Sequence, residues 1–315
     1  MVHPHSVDII VTCYNQERFI RQSLDSIVAQ TVPARHTVVI DGYSQDRSVA
    51  VIQRWIEEHP GFPITFIAHD KNYGLCATMN QGMEHVKSPN VMTLYGDDWL
   101  LPNRIEIQAP LLAESPEDVC LLIGGMREVD KRGNFVVLHD YREKIEPLLT
   151  MGARDRIASL ISENVIPSPA VMLKAQYVRD IGGYDESLTF DDYDLELRLL
   201  SKHRFIYDPR PVVNYRVLAN SLSRNPDRHG DFLLSEARMI AKYTHWDEDI
   251  DARIAQRLRA SASKLLSYGD RLRLTRVLQL LYAAAPSREV RNALRRLRLP
   301  GGLRSLQRSG LEHHS

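Results

Sequence analysis

The first regular segment of the chain is Val7-Asp8-Ile9-Ile10-Val11, an apolar, β-branched run that predicts a buried strand. Apolar residues then recur at helical spacing over residues 19–28, and a second β-branched run covers residues 36–40. The alternation continues with a helix at 49–56, a strand at 64–67, a helix at 77–86 and a strand at 91–95. Strands separated by helices predict βαβ units around a mostly parallel central sheet, and therefore an α/β fold.

The carboxyl ends of these strands are the places to look for a binding site, because ligands bind there in open parallel sheets. They lead into residues 12–17, 41–46, 69–74 and 96–99. The first turn lacks the glycine-rich dinucleotide fingerprint, which argues against a nicotinamide-binding Rossmann domain, and no Walker phosphate loop is present.

The rest of the chain is less regular up to about residue 225 and helical beyond residue 231. A Pro-Asp-Arg-His-Gly segment near residues 226–230 predicts a boundary, which divides the chain into domains 1–228 and 229–315. Further strands are predicted at 119–123, 135–138, 170–173, 205–207 and 212–217, and further helices at 192–200, 233–243, 254–266, 272–284 and 290–297.

The chain of 315 residues has 40 basic and 40 acidic side chains, but they are unevenly distributed. Residues 252–315 contain fourteen basic and three acidic side chains, a net charge of +11, which leaves −11 on the first 251 residues. Because 43% of the residues are hydrophobic, a wholly disordered chain is excluded. Charge asymmetry of this kind is typical of a tail that meets an anionic partner.

Three interpretations of the basic C-terminal region stay open. Leucines and arginines alternate there, as in Arg291, Leu294 and Arg295, so a helix could contact anionic lipid at a membrane surface. The region could instead be a helical subdomain, packed on the body or forming a homodimer, with solvated arginines. Nucleic acid is the least favoured partner, because no recognised binding motif accompanies the charge.

Cysteine use and the absence of an apolar leader bear on location. Cys13, Cys76 and Cys120 are too far apart for metal-ligand spacing or a disulfide framework, which favours a reducing compartment. Neither a signal peptide nor an apolar run long enough to span a membrane is present. We expect a cytoplasmic protein, in peripheral contact with the inner face of the membrane if the lipid interpretation of the tail holds.

Two acidic clusters have the residue types that transfer chemistry needs. Asp97 and Asp98 end an apolar strand, where two adjacent carboxylates suit Mg²⁺ and a departing diphosphate, although Asp98 could instead cap the following helix. Asp191 and Asp192 open the helix at 192–200. They could balance the helix dipole, or crowding could raise the pKa of one carboxyl and suit it to general-base work.

A third cluster consists of Thr12, Asn15 and Glu17 after the first strand, with Asp41 after the second. Hydroxyl, amide and carboxylate groups at neighbouring strand ends could hydrogen-bond a base and a ribose. Histidines are scattered along the chain and show no nucleophile or metal pattern.

The order of these sequence motifs along the chain resembles that of the family 2 glycosyltransferases, which have the GT-A fold. The similarity covers roughly residues 6–225 and is carried by several motifs in family order: residues 10–15, 39–46, 72–82, 94–98, 182–186, 191–195 and 214–216. It implies an inverting enzyme that moves a sugar from a UDP-, dTDP- or GDP-linked donor to a hydroxyl of a glycan, lipid-linked or other acceptor. Bacterial surface polysaccharide or glycoconjugate synthesis is the implied setting.

The resemblance also implies a role for individual residues. Asp192 would be the catalytic base beside Asp191, Asp98 would bind Mn²⁺ or Mg²⁺, and Arg198 would support the site. The donor nucleotide would be contacted by Thr12, Tyr14, Asn15, Glu17, Asp41, Asn72, Gly74, Asn80 and Asp97.

Two departures from the family pattern leave alternatives open. The family usually has an acid where this chain has Tyr95 or Gly96, and often a histidine where it has Leu218. The chain could therefore be a catalytically weak or inactive module that binds a nucleotide or a partner. A nucleotidyltransferase is less favoured, since no basic, glycine-rich triphosphate loop is present. The Gln-x-x-Arg-Trp motif of processive synthases is also missing, which favours single additions.

Overall fold

The computed structural model describes residues 3–218 and 228–309. Its strands are β1 Val7–Cys13, β2 His36–Asp41, β3 Ile64–Ala68, β4 Asn90–Tyr95, β5 Trp99–Leu100, β6 Val119–Val129, β7 Phe135–His139, β8 Val171–Lys174 and β9 Arg204–Arg216. Its helices are α1 Ile20–Val28, α2 Ser48–Glu58, α3 Leu75–His85, α4 Arg104–Ala113, α5 Arg142–Thr150, α6 Ala153–Ser162, α7 Ala175–Asp180, α8 Asp192–Leu200, α9 His229–Ala241, α10 Glu248–Ser267, α11 Arg271–Ala284, α12 Arg288–Leu297 and α13 Gly302–Ser309.

The strands form one sheet in the order β3-β2-β1-β4-β8-β6-β9-β5, with β7 added to β6. Strands β1 to β4 run parallel, as do β6 and β9, whereas β8, β5 and β7 pair antiparallel with their neighbours. The register aligns Thr12 with both Ile40 and Tyr95, so the carboxyl ends of β1, β2 and β4 meet at one edge. The predicted α/β class and the helical C-terminal region are confirmed.

The core around the sheet explains why the first hundred residues fold as their pattern indicates. All seven residues of β1 are buried, which suits a central parallel strand covered on both faces. Ile52 and Trp55 of α2 are completely buried in the same cluster as Ile9 and Val11. Each such side chain contributes about 1.5–3 kcal/mol through its removal from water.

Strand β9 corrects the prediction of two short strands at 205–207 and 212–217. The structure has one strand, although Pro209 and Pro211 lack the N–H that a strand interior normally uses. The register to β6 shifts next to Gly125, which allows the chain to pass the prolines. A Cβ on Gly125 would lie 2.4 Å from the Pro209 carbonyl oxygen, so only glycine fits.

Helices α5, α6 and α7 are absent from the sequence prediction. Helix α5 contains Pro147 in its second turn, and a proline at such a position normally indicates a break. Burial of Ile145 and Leu148 offsets the cost of the missing hydrogen bond. Strand β6 is also longer than predicted and continues to Val129.

Backbone contacts divide the chain into two compact units. The first comprises residues 3–156, 165–186 and 191–218, and the second comprises residues 157–164, 187–190 and the described residues from 228 onward. The predicted boundary at 228/229 borders residues 219–227, which lie outside the described residues, and it stays a prediction. None of the described helices is both long and apolar enough to cross a membrane.

The second unit is built from capped amphipathic helices. The side chains of Asp247, Asp270 and Ser287 accept hydrogen bonds from the first turns of α10, α11 and α12. On α12 the apolar residues Val290, Ala293 and Leu297 are buried, while its arginines point to solvent. On α12 the apolar face is therefore packed, as in a helical subdomain.

Candidate active site

The loops that follow β1 and β2 are joined by reciprocal hydrogen bonds. The Asn15 N–H donates to Ser44 Oγ at 2.8 Å, and the Asn15 side chain accepts from Gln45 N–H at 2.7 Å. Glu17 accepts from both the backbone and the guanidinium of Arg47, at 3.0 and 3.1 Å. The structure therefore brings together two of the segments predicted to contact the nucleotide.

The Asp41 carboxylate is not free to bind a nucleotide base, because it is buried and already hydrogen-bonded. It is 1% exposed, and its oxygens accept from the backbone of Tyr43 and Ser44 and from the Ser44 hydroxyl at 2.5 Å. The exposed aromatic rings of these loops are those of Tyr14 and Tyr43, at 44% and 43%. Tyr43 and Asn15 have φ angles of +79° and +55°, a strained conformation that marks functional loops.

Gly96 brings the β1 loop into contact with the acidic motif after β4. A Cβ on Gly96 would lie 2.6 Å from Gln16 Oε1 and 3.2 Å from the Thr12 carbonyl oxygen. Because only glycine allows this approach, Gln16 can also hydrogen-bond the Asp97 carboxylate. Thr12 is buried beside this contact, and its carbonyl accepts from Gly96 N–H at 2.9 Å.

Arg216 at the end of β9 fixes the backbone of the same motif. Its N–H donates to Asp98 Oδ1 at 2.7 Å, and its Nε donates to the Asp97 carbonyl at 2.9 Å. Its guanidinium lies 4.6 Å from the ring centre of Phe19 and 4.8 Å from that of Trp99. Asp98 is thus 2% exposed and faces inward, where its carboxylate accepts a hydrogen bond from the end of β9. It does not cap a helix, since the N-cap residue of α4 is Asn103.

The two acids of the motif differ in their availability to a cation. Burial raises the pKa of Asp98 well above its usual range, and the neighbouring Asp97 charge adds to that. Asp97 is partly exposed; burial raises its pKa too, but Arg216 and Gln16 favour its charged form. Asp97 is therefore the carboxylate that remains open to a ligand. Within residues 3–218 and 228–309, no three metal-ligating side chains form a cluster.

The second acidic cluster lies at the start of α8 and touches β4. The Tyr95 hydroxyl donates to both oxygens of Asp191, at 3.1 and 3.0 Å. Asp191 is 3% exposed, whereas Asp192 is partly exposed and hydrogen-bonds the Tyr193 N–H and the Ser168 hydroxyl. Tyr95 thus connects the strand end that precedes Asp97 and Asp98 to the acid pair.

Burial controls the protonation of this pair. It raises the pKa of Asp191 to about 7, with the Asp192 charge as the next cause, while the Tyr95 hydrogen bond acts in the opposite direction. Burial also raises the pKa of Asp192. Two adjacent carboxyl groups with raised pKa values can accept a proton near neutral pH, which is what a general base requires.

The other predicted residues serve the loops that surround the pair. Asn72 accepts from Gly74 N–H at 2.9 Å, in a turn that places Gly74 at φ +91°. Asn80 donates to the Tyr184 carbonyl and accepts from the Tyr184 N–H, so its amide is already engaged. Arg198 donates to the carbonyls of Ile181 and Gly183 and pairs with Asp194.

Sequence reasoning missed four contributors to the site. Gln16 and Arg216 lay inside the motifs but were given no role, and Ser168 carried no motif at all. Glu196 lies one turn after Asp192; it is 3% exposed, shares Ser168 with Asp192, and its Oε2 has no hydrogen-bond partner among the described residues. Helical spacing from Asp192 to Glu196 was the one signal that could have indicated this last contact.

The strand ends of the α/β sheet thus carry paired loops and an acidic motif, which Tyr95 connects to an acid pair. Residues 8–169, just over half of the chain, match the family model of glycosyl transferase family 2. The chain belongs to this family, and its fold is GT-A, as the sequence predicted.

Curated relatives agree with this assignment. The amylovoran biosynthesis glycosyltransferase AmsE of Erwinia amylovora is 27% identical over 73% of this chain and 83% of that protein. Uncharacterized glycosyltransferases of Rickettsia bellii and Rickettsia felis are 24% and 25% identical over 71% of this chain. The chain spans about a third of the length of these two relatives, 32% and 36%.

Solved structures share the fold at low identity. Staphylococcus aureus TarS 1–349 in complex with UDP has a TM-score of 0.62 and 18% identity, over 96% of this chain and 90% of that one. The mannosyltransferase PcManGT from Pyrobaculum calidifontis, in complex with GDP-Man and Mn²⁺, has a TM-score of 0.56 and 18% identity, over 98% and 86%.

Proposed function

We propose that this protein is an inverting glycosyltransferase that moves one sugar from a nucleotide-sugar donor to an acceptor hydroxyl. The observation that carries the proposal is the hydrogen-bonded connection from Tyr95 to Asp191, which joins the acidic motif after β4 to the acid pair of α8. In such an arrangement a diphosphate and a proton-accepting carboxylate can act on the same sugar.

Asp192 is the base in this proposal, because it is the partly exposed member of the pair. Its carboxylate takes the proton of the acceptor hydroxyl as that oxygen attacks the anomeric carbon. The nucleoside diphosphate leaves from the opposite face of the sugar, so a single displacement inverts the anomeric configuration. Ser168 and the Tyr193 N–H hold the carboxylate in place, and Tyr95 holds Asp191 beside it.

The residues present fit a Mn²⁺ or Mg²⁺ ion held by one protein carboxylate. Mg²⁺ in such sites takes one or two carboxylates together with phosphate oxygens and water, and Asp97 can supply one. We therefore assign the metal to Asp97 in place of Asp98, whose carboxylate is buried against Arg216. A bound ion would neutralise charge on the diphosphate.

The nucleotide fits the two joined loops. The exposed rings of Tyr14 and Tyr43 suit stacking on a base, and Asn15 and Glu17 form the adjoining edge. Asp41 holds this loop through hydrogen bonds from its buried carboxylate. To contact the base, the carboxylate would have to give up a hydrogen bond from Ser44. UDP- and GDP-linked donors are the first to test, since the TarS and PcManGT structures contain UDP, UDP-GlcNAc and GDP-Man; dTDP-sugars complete the panel.

The setting we propose is bacterial surface polysaccharide or glycoconjugate synthesis in the cytoplasm, with support from the similarity to an amylovoran biosynthesis enzyme. The packed α9–α13 unit favours a helical subdomain or a dimer surface over a lipid-binding helix. A module that only binds a nucleotide is the second candidate, favoured by Tyr95 at an acid position of the metal motif.

A thermal-shift panel of sugar nucleotides, each with and without Mn²⁺ or Mg²⁺, tests the proposal. A donor that binds the folded state raises its melting temperature, by mass action. We expect one class of donor to stabilise the protein in a metal-dependent way and then to release nucleoside diphosphate. Stabilisation without any release would support the binding module, and no stabilisation by any donor would contradict both candidates.

A further inference from the structure

Four side chains form a continuous row across four strands of the sheet. Leu138 of β7 is the register partner of Arg127 of β6, Arg127 is the partner of Asn214 of β9, and Asn214 is the partner of Trp99 of β5. Register partners on neighbouring strands share a face of the sheet. With strands about 4.8 Å apart, the row runs about 14 Å and ends at Trp99, immediately after the Asp97-Asp98 motif.

A cavity of about 480 Å³ lies on this row. Arg127, Asn214 and Leu138 line it together with Phe135, Val129 and Gly133. Phe135 and Leu138 are 62% and 51% exposed, so the outer end of the row is an uncovered apolar surface. At the inner end the hairpin meets the site, since a Cβ on Gly133 would lie 3.5 Å from the Trp99 ring.

The two polar side chains in the middle of the row have no partners among the described residues. The Arg127 guanidinium makes no ion pair or hydrogen bond there. Asn214 is 6% exposed, and its side-chain amide makes no hydrogen bond with any described residue. Both side chains line the cavity, so the amide and the guanidinium offer free N–H donors to a ligand with acceptor oxygens.

The charges around the β6–β7 hairpin favour an anion. Its acids are engaged within the hairpin or by the chain that follows it: Glu128 by His139, Asp130 by Asn134 and Asp140 by Arg142. The side chains of Lys131 and Arg132, like that of Arg127, have no such partner among the described residues. Among the residues that line the cavity, Arg127 is the one with a charged side chain, so the charge on the cavity wall is positive.

We infer that this row is an acceptor subsite for a phosphate-bearing lipid. Arg127 and Asn214 take the phosphate, since a guanidinium binds phosphate oxygens in a bidentate fork and an amide adds a donor. The first carbons of the apolar chain lie along Leu138 and Phe135, and the hydroxyl-bearing end points past Trp99 towards the acidic motif. The assignment as an acceptor subsite rests on the proposed function.

Direct binding of a model lipid phosphate to the full-length protein tests this inference. Calorimetry with dodecyl phosphate below its micelle concentration should show binding at least tenfold tighter than with inorganic phosphate or neutral dodecyl maltoside. Arg127→Gln and Leu138→Ser should each weaken that binding at least fivefold. The matched control is Arg132→Gln, which removes the same charge outside the cavity and should change the affinity less than twofold.

Three results would overturn the inference. Equal losses for Arg127→Gln and Arg132→Gln would indicate a diffuse basic surface, and equal binding of inorganic phosphate would remove the apolar part of the site. Retention on phosphatidylglycerol vesicles without binding of monomeric dodecyl phosphate would indicate a membrane surface and no discrete site. Because Leu138 is exposed, its substitution should leave the melting temperature unchanged, which keeps the test independent of folding.

The same samples separate this inference from the proposed function. Donor binding is measured beside dodecyl phosphate binding, by thermal shift with sugar nucleotides. Donor binding without lipid phosphate binding would overturn the subsite and leave the transferase intact. Lipid phosphate binding without any donor binding would overturn the assignment of the row to an acceptor.

Discussion

The Tyr95 hydroxyl offers the sharpest test of how the acid pair is tuned. It donates to both oxygens of Asp191, whose pKa burial raises to about 7. The hydrogen bond favours the charged carboxylate, so Tyr95→Phe should raise this pKa further. A hydrogen bond to a charged group is worth about 1.5–3 kcal/mol. At 1.36 kcal/mol per pKa unit, this corresponds to a rise of about one to two pKa units.

The consequence for catalysis follows from the charge on the pair. When the pair loses its last proton, the charge on Asp191 makes Asp192 a stronger base. The rate should therefore rise with pH through the pKa of Asp191. In Tyr95→Phe the fully ionised pair at pH 7 falls from about half of the molecules to roughly 1–10%. We expect a loss of about 5- to 50-fold at pH 7 and recovery at high pH.

The assay is the pH profile of kcat/KM, followed by release of nucleoside diphosphate from the donor that the panel identifies. The control is Tyr177→Phe, which removes a tyrosine hydroxyl bonded to the Glu117 carbonyl, away from the acid pair. Its acid limb should coincide with that of the unmodified protein. If the acid limb of Tyr95→Phe stayed at the same pH while the rate fell equally at every pH, the Tyr95 hydrogen bond would not set the pKa of Asp191.

Other substitutions probe the metal motif and the tail. Asp97→Asn should raise the Mn²⁺ or Mg²⁺ concentration for half-maximal activity at least tenfold without lowering the melting temperature, and a metal titration measures this. Asp98→Ala should cost about 1–3 kcal/mol because it orphans the buried Arg216 N–H, so the melting temperature should fall by several degrees in a thermal scan. Gly96→Ala should weaken donor binding, measured by calorimetry, since its Cβ displaces Gln16. Replacing Arg295 and Arg298 by Gln should leave turnover unchanged, because both are solvated.

The local pattern of apolar residues was sufficient to predict the parallel half of the fold. Strands β1 to β4 and helices α1 to α3 were predicted within a few residues, because buried strands and amphipathic helices have their own periodicity. Strand β9 and helix α5 were not predicted correctly, because Pro209, Pro211 and Pro147 indicated breaks that tertiary contacts override.

The candidate site shows a different limit. Its acids, except Glu196, were found at strand and helix ends, where the pattern indicates function. Their partners were not, since Tyr95 and Asp191 are 96 residues apart, and Arg216 and Asp98 are 118 apart. The inward turn of Asp98 depends on such a distant contact, which motif reasoning could not take into account when it assigned the metal to Asp98; we propose Asp97 in its place.

The role of Asp192 as the base in sugar transfer is tested most directly by nucleoside diphosphate release. It is measured for the unmodified protein and for Asp192→Asn, with the same donor, metal and acceptor. Asparagine keeps the size of the side chain and can still accept from Tyr193 N–H, so fold and donor binding should persist. We predict that Asp192→Asn binds the donor with unchanged affinity and loses transfer by at least a thousandfold. Full turnover by a folded Asp192→Asn protein would contradict the assignment of Asp192 as the base.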